Sequence, residues 1–204
     1  EHENCRTQAV AKALIAALDD PALRVRTKVL GMLVDGQHAE LTITTLVSRL
    51  GDIKKNMWSL VDWLRGKQGV HGSVDDAMGY IERLMEVSGE VPDDRVVKAL
   101  ANALKAMPTE MRGQPVAMSA VHALLELGTR DAVATVIKQF KPRPPSKGAV
   151  ENIHSALEDF ALELEIEDYP EFDGDLKKLW ESWARKNSSR IPTKLGRWIG
   201  KPLD

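Results

Sequence analysis

The stretch VAKALIAALDDPALRVRTKVLGML, residues 10–33, decides the fold class of this chain. Apolar side chains recur in its first half at the three- and four-residue spacing of one helical face: Val10, Ala13, Leu14, Ala17 and Leu18. The turn that follows ends this helix, because Asp20 is a residue type that caps a new helix and Pro21 is tolerated at its first position. The stretch therefore predicts two antiparallel helices joined by almost no loop.

The same apolar periodicity recurs along the rest of the chain. Further helical stripes cover residues 25–33, 41–50, 53–64, 77–85, 96–104, 121–127, 132–140, 150–164 and 176–183, with Gly, Pro or Asp between most of them. No segment alternates apolar and polar residues for long enough to predict a strand. We expect an all-α protein whose helix pairs each leave an apolar flank for the next pair to cover.

The domain organisation follows from one proline-rich segment. Residues 141–145, Lys-Pro-Arg-Pro-Pro, cannot continue a helix and predict a stiff extended connector. Residues 1–140 are then an array of helix pairs, and residues 146–204 a C-terminal helical capping unit packed on the same array.

Composition limits the class of protein. The chain has 204 residues, of which 43% are hydrophobic and 5% aromatic, enough to bury a core as one continuous array. With 28 basic and 30 acidic residues its net charge is −2, which argues against a general nucleic-acid binder.

Cys5 is the single cysteine, so no intrachain disulfide can form. No run of 18 apolar residues occurs, and we expect a soluble protein without a transmembrane segment.

Two segments resemble a known repeat family. LDDP at residues 18–21, VR at 25–26 and LGML at 30–33 resemble the turn and second helix of a HEAT repeat. LLELG at 124–128 and DAV at 131–133 resemble a junction of bacterial HEAT-like repeats. The resemblance implies an α-solenoid of antiparallel helix pairs.

The HEAT-like resemblance also carries over to individual residues. In that family the Asp and Arg of the motif tie neighbouring repeats together, which implies a repeat-stabilising role for Asp20 and Arg26. The Trp-containing segment 179–187 resembles tails of exported bacterial HEAT-like proteins. We therefore favour an exported location over a cytoplasmic one.

Catalytic and metal-binding patterns are not found in the sequence. The only His-Glu pair is His2-Glu3, at the end of the chain, so the repeated His-Glu pairs of solenoid hydroxylases are missing. The other histidines stand singly and are interpreted as structural or solvent-facing: His38, His71, His122 and His154. Solenoid DNA glycosylases need an acid and aromatic residues at the centre of a basic groove. Trp58 and Asp62 share a helical face, but the basic groove is missing, so we interpret Trp58 as packing at a repeat interface. No nucleophile motif occurs. We expect no catalytic residue, no metal and no cofactor.

The most distinctive feature is a step in charge near the C-terminus. Residues 158–175 contain nine acidic and no basic residues, whereas residues 176–204 contain eight basic and two acidic residues together with three tryptophans. The candidate binding rim consists of Lys177, Lys178, Arg185, Lys186, Arg190 and Arg197. With the tryptophans it could meet an anionic polymer or a membrane surface. The interpretation we favour is a cap that buries the tryptophans on the last helix pair.

These observations favour a function in binding over a function in catalysis. A solenoid presents side chains from successive helices on one face, and such faces usually hold another macromolecule. We expect a non-enzymatic scaffold that is monomeric by itself and binds a protein partner. The alternative is a binder of an anionic polymer or membrane surface through the basic C-terminal segment.

Overall fold

The computed structural model describes residues 8–36, 38–53, 74–107, 115–140 and 147–200. Within these ranges the chain forms nine helices and no strand, which confirms the all-α prediction. The helices are α1 (Gln8–Ala17), α2 (Leu23–Asp35), α3 (Ala39–Gly51), α4 (Val74–Gly89), α5 (Asp94–Ala106), α6 (Pro115–Leu127), α7 (Arg130–Ile137), α8 (Lys147–Glu163) and α9 (Leu176–Lys186). Several predicted features lie outside the described residues: Cys5, the helix over most of 53–64 with Trp58 and Asp62, His71, and the connector 141–145.

The helices from α2 onward stack in two layers. In one layer α2 packs on α4, α4 on α6 and α6 on α8. In the other layer α3 packs on α5, α5 on α7 and α7 on α9. From α2 to α7, each described helix therefore contacts the described helix two positions further along, and α1 packs on α2 at one end. No helix in the described part of the chain is both long and apolar enough to cross a bilayer.

The helix boundaries follow local signals at most turns. Asp93 is the N-cap of α5 and Thr129 that of α7, and each side chain accepts a hydrogen bond from a backbone N–H of the first turn. Gly128 follows α6 with a φ of 62°, a left-handed conformation that favours glycine. These residues fix where α5 and α7 begin and where α6 ends.

The start of α2 differs from the prediction. The helix begins at Leu23 rather than at Pro21, and the extended residue Ala22 is its N-cap. Asp20 Oδ1 instead accepts a hydrogen bond from Ala22 N at 2.7 Å, which stabilises the turn before the helix. The prediction that Asp20 caps this helix directly was wrong by two residues.

One apolar core runs through both layers to the C-terminal end. Trp180, Trp183 and Trp198 are all buried in it, and Trp180 is completely inaccessible to solvent. The C-terminal unit therefore shares the core of the helices that precede it.

Candidate interaction site

The C-terminal segment, residues 188–200, lies across the beginnings of two helices, and we call it the strap. Arg130 N, at the first residue of α7, donates to Pro192 O at 2.9 Å. Asp94 N, at the first residue of α5, donates to Gly196 O at 3.4 Å. First-turn N–H groups have no partner within their own helix. The strap carbonyls satisfy two of them and thereby join α5, α7 and the C-terminus.

Asp93 anchors the strap from the opposite direction. The residue is 1% exposed, and its carboxylate accepts hydrogen bonds from Arg95 N at 2.9 Å, Arg95 Nε at 2.9 Å and Trp198 N at 3.2 Å. Next to it, Asp94 Oδ1 accepts from Leu195 N at 3.0 Å. Burial opposes the charge of Asp93, but the hydrogen bonds from Arg95 and Trp198 outweigh it, so the pKa of Asp93 lies below its ordinary value.

Glu40 of α3 adds a surface ion pair to this anchor. Glu40 Oε1 lies 2.6 Å from Arg95 Nη1, and Glu40 Oε2 lies 3.0 Å from Arg197 Nη2 of the strap. The hydrogen bond from Arg95 is the main reason that the pKa of Glu40 is lowered. Because these groups are largely exposed, the pair adds little stability and mainly orients the end of the strap.

The tryptophans of α9 belong to a buried aromatic cluster on α8. Trp180 Nε1 donates to His154 Nδ1 at 3.0 Å, and the rings of Phe172 and Trp180 meet the His154 ring edge-on at 5.1 and 5.6 Å. The other ring nitrogen, Nε2, lies 3.1 Å from Glu158 Oε1. His154 therefore joins α8 to α9 through its contacts with Trp180 and Phe172.

The six side chains of the candidate binding rim make separate local contacts. Lys177 pairs with Glu181 at 3.0 Å and Lys178 with Asp175 at 3.0 Å. Lys186 pairs with Asp168. The remaining members contact other acceptors: Arg185 Nε with Glu181 O at 3.4 Å, Arg190 Nη1 with Glu165 O at 3.2 Å, and Arg197 with Glu40. The structure does not gather these six side chains around one ligand site, and the neighbouring tryptophans are buried.

Asp20 and Arg26 contact each other within a single turn. Arg26 Nε donates to the backbone oxygen of Asp20, not to its carboxylate. A nearby ion pair joins different helices instead, with Arg49 of α3 2.8 Å from Asp19 after α1. The side-chain hydrogen bond of Arg49 lowers the pKa of Asp19. The Asp-Arg tie that the HEAT resemblance implied is therefore seen here as a local turn contact.

An open groove lies between α7 and α9. It has a volume of about 490 Å³ and ends at the strap residues Ser188 and Ile191. Its floor is apolar and consists of the buried side chains of Val133, Ile137 and Ile191. Its remaining lining residues are Arg130, Ala134, Lys138, Glu181, Ala184 and Arg185. We refer to it as the α7/α9 groove.

The mouth of the α7/α9 groove carries positive charge that the described residues do not neutralise. Arg130 is held by the carbonyls of Ser188 and Ile191, and Glu181 is paired with Lys177. Lys138 and Arg185 are exposed, and within the described ranges neither has a carboxylate at ion-pair distance. A groove with an apolar floor and two available cations can hold a ligand that combines apolar and anionic groups.

Sequence reasoning found Arg185 but missed the groove. Lys138 was not singled out, because a lone lysine at the end of a short helix carries no local signal. The floor residues Val133 and Ile137 were predicted as ordinary core positions of their helix. The groove arises from the way α9 packs beside α7, and no pattern within either helix encodes that distance.

Among the described residues no group of three or more His, Cys, Asp or Glu side chains could hold a metal ion. His38 is half-buried and His122 is exposed, and they lie on different elements of the fold.

Comparison of the chain with protein-family models, with curated proteins and with solved structures gives no match. The described structure by itself defines an all-α protein of stacked helices in which the strap is hydrogen-bonded to the beginnings of α5 and α7.

Proposed function

We propose that this chain is a non-enzymatic interaction module, built as a HEAT-like α-solenoid, that binds a protein partner in the α7/α9 groove. The two-layer stacking, in which each helix packs on the helix two positions along, supports the solenoid. The observation that carries the function is the open apolar floor beneath the unpaired cations Lys138 and Arg185.

The anatomy of the groove fits a protein segment. Specific protein interfaces place a desolvated apolar centre inside a polar rim. Val133 and Ile137 provide the centre here, and Lys138 and Arg185 the rim. A volume of about 490 Å³ accommodates a few side chains of a partner rather than a whole helix face. The groove would therefore recognise a short segment.

The rival function is binding of an anionic polymer or membrane through the basic C-terminal segment. Such binding uses exposed aromatic rings that stack on bases or enter the interface. Trp180, Trp183 and Trp198 are buried, and Lys177, Lys178 and Lys186 are paired with carboxylates. These contacts favour the protein partner over the anionic polymer.

A capture experiment with a matched pair of variants tests the proposed function. The full chain is immobilised and exposed to lysate of its source, in parallel with Ala134→Glu, which places bulk in the groove, and with Ala13→Glu on α1. Both alanines are exposed helical positions, so the pair controls for the added charge. We expect a partner that wild type and Ala13→Glu retain and that Ala134→Glu retains about tenfold less, since 1.4 kcal/mol of lost contact energy changes affinity tenfold.

Two results would overturn this proposal. One is equal capture by Ala134→Glu and wild type, which would place the binding surface elsewhere. The other is retention of DNA, heparin or acidic vesicles alone, with binding that weakens steeply as salt is raised, which would support the rival function.

A further inference from the structure

The loop between α8 and α9, residues 165–175, carries negative charge that is complementary to the cations of the α7/α9 groove. It contains six acidic residues and no basic one. Asp168 and Asp175 are paired with lysines, whereas Glu167, Glu171 and Asp173 are exposed without a cationic partner among the described residues. We call this segment the acidic loop.

A half-exposed aromatic ring lies near the centre of the acidic loop. Phe172 is 46% exposed and stands between Glu171 and Asp173. An exposed phenylalanine with carboxylates on both sides combines an apolar anchor with negative charge. The groove offers the reverse combination, an apolar floor with Lys138 and Arg185 at its mouth. The same molecule therefore presents both halves of a complementary pair.

The acidic loop does not fill its own groove. The Phe172 ring packs against the His154 ring of α8 in a T-shaped contact, with 5.1 Å between ring centroids, and this contact holds the loop against α8. The groove lies between α7 and α9, and no loop residue lines it. The loop is nevertheless close, because the Lys186–Asp168 ion pair fixes its beginning beside the end of α9, where Arg185 and Ser188 line the groove.

From this arrangement we propose that the groove binds the acidic loop of a second copy of the chain, giving a two-fold dimer with two loop–groove contacts. The inference rests on the proposed function, since it names the partner segment that the groove recognises. Neighbouring complementary surfaces on one molecule can pair reciprocally, so that each loop meets the partner's groove. Because exposed charges dominate the contact, the dimer is weak and dissociates as salt is raised.

A charge-swap experiment on the full chain tests the dimer. The groove variant is Lys138→Glu with Arg185→Glu, and the loop variant is Glu171→Lys with Asp173→Lys. Analytical ultracentrifugation over a concentration series at low salt should show self-association of wild type and loss of it in either variant alone. An equimolar mixture of the two variants should recover the dimer, because the acidic loop of the first fits the basic groove of the second and the basic loop of the second fits the acidic groove of the first.

The matched control is Lys28→Glu with Lys105→Glu, two exposed lysines on α2 and α5. It carries the same charge change as the groove variant and should dimerise like wild type. A monomeric wild type across the series, dimerisation of both variants, or a mixture that stays monomeric would each overturn the proposal. If wild type is monomeric while Ala134→Glu still loses a captured partner, the dimer is excluded and the proposed function stands.

Discussion

Replacing Trp180 with alanine is expected to lower the free energy of unfolding by about 3–5 kcal/mol. The side chain is completely buried, and its removal takes away apolar contacts with Trp183 and leaves a large cavity between α8 and α9. It also leaves His154 Nδ1 without its donor. Chemical denaturation followed by circular dichroism measures the loss.

Leu179→Ala is the matched control for this prediction. Leu179 is the preceding residue of α9 but is 41% exposed, so its truncation should cost well under half as much as that of Trp180. Trp180→Phe separates packing from hydrogen bonding, because it keeps a ring in the core but removes the donor to His154; we expect a cost of about 1–3 kcal/mol. Similar losses for Trp180→Ala and Leu179→Ala would contradict the buried cluster.

The helices could be predicted because their signals are local. Pro115 begins α6, where the fixed φ of proline suits the first helical position, and Gly128 follows the end of α6 in a left-handed conformation that favours glycine. The start of α2 was misplaced because Asp20 bonds to the turn at Ala22 and not to the helix itself. Propensity indicates that a cap is present, but the choice between two neighbouring turns depends on the geometry of the chain.

The contacts of the C-terminus could not be predicted because they are not local. Asp93 is the N-cap of α5, and its carboxylate also accepts a hydrogen bond from the backbone N–H of Trp198, which lies 105 positions further along the chain. The charge step after Asp175 likewise left two interpretations open, a binding surface and a cap. Burial of Trp180 and Trp183 depends on which helices α9 meets, and burial of Trp198 depends on where the strap lies; the sequence pattern of neither segment specifies these neighbours.

Replacing Asp93 with alanine is expected to cost about 2–4 kcal/mol and to release the strap. The change removes the N-cap of α5, worth about 1 kcal/mol, and leaves the buried Trp198 N–H without an acceptor, worth about 1–3 kcal/mol. Trypsin should then cut faster at Lys194 and Arg197 under native conditions, as mass spectrometry of the early fragments would show. Asp131→Ala, an exposed acidic residue in the first turn of α7, is the control and should change stability by no more than about 0.5 kcal/mol.

The contribution of Asp93 should also depend on pH in a defined direction. Its pKa is lower in the folded protein than in the unfolded chain, because the hydrogen bonds from Arg95 and Trp198 outweigh the effect of burial. A lowered carboxyl pKa stabilises the fold fully above the unfolded value of about 3.9, and this stabilisation is lost as the pH falls through the folded pKa. The difference in unfolding free energy between wild type and Asp93→Ala should therefore be constant near neutral pH and shrink below about pH 4. A difference that stays constant into strong acid would show that the charge of Asp93 does not hold the strap, and that its stabilising effect comes from packing alone.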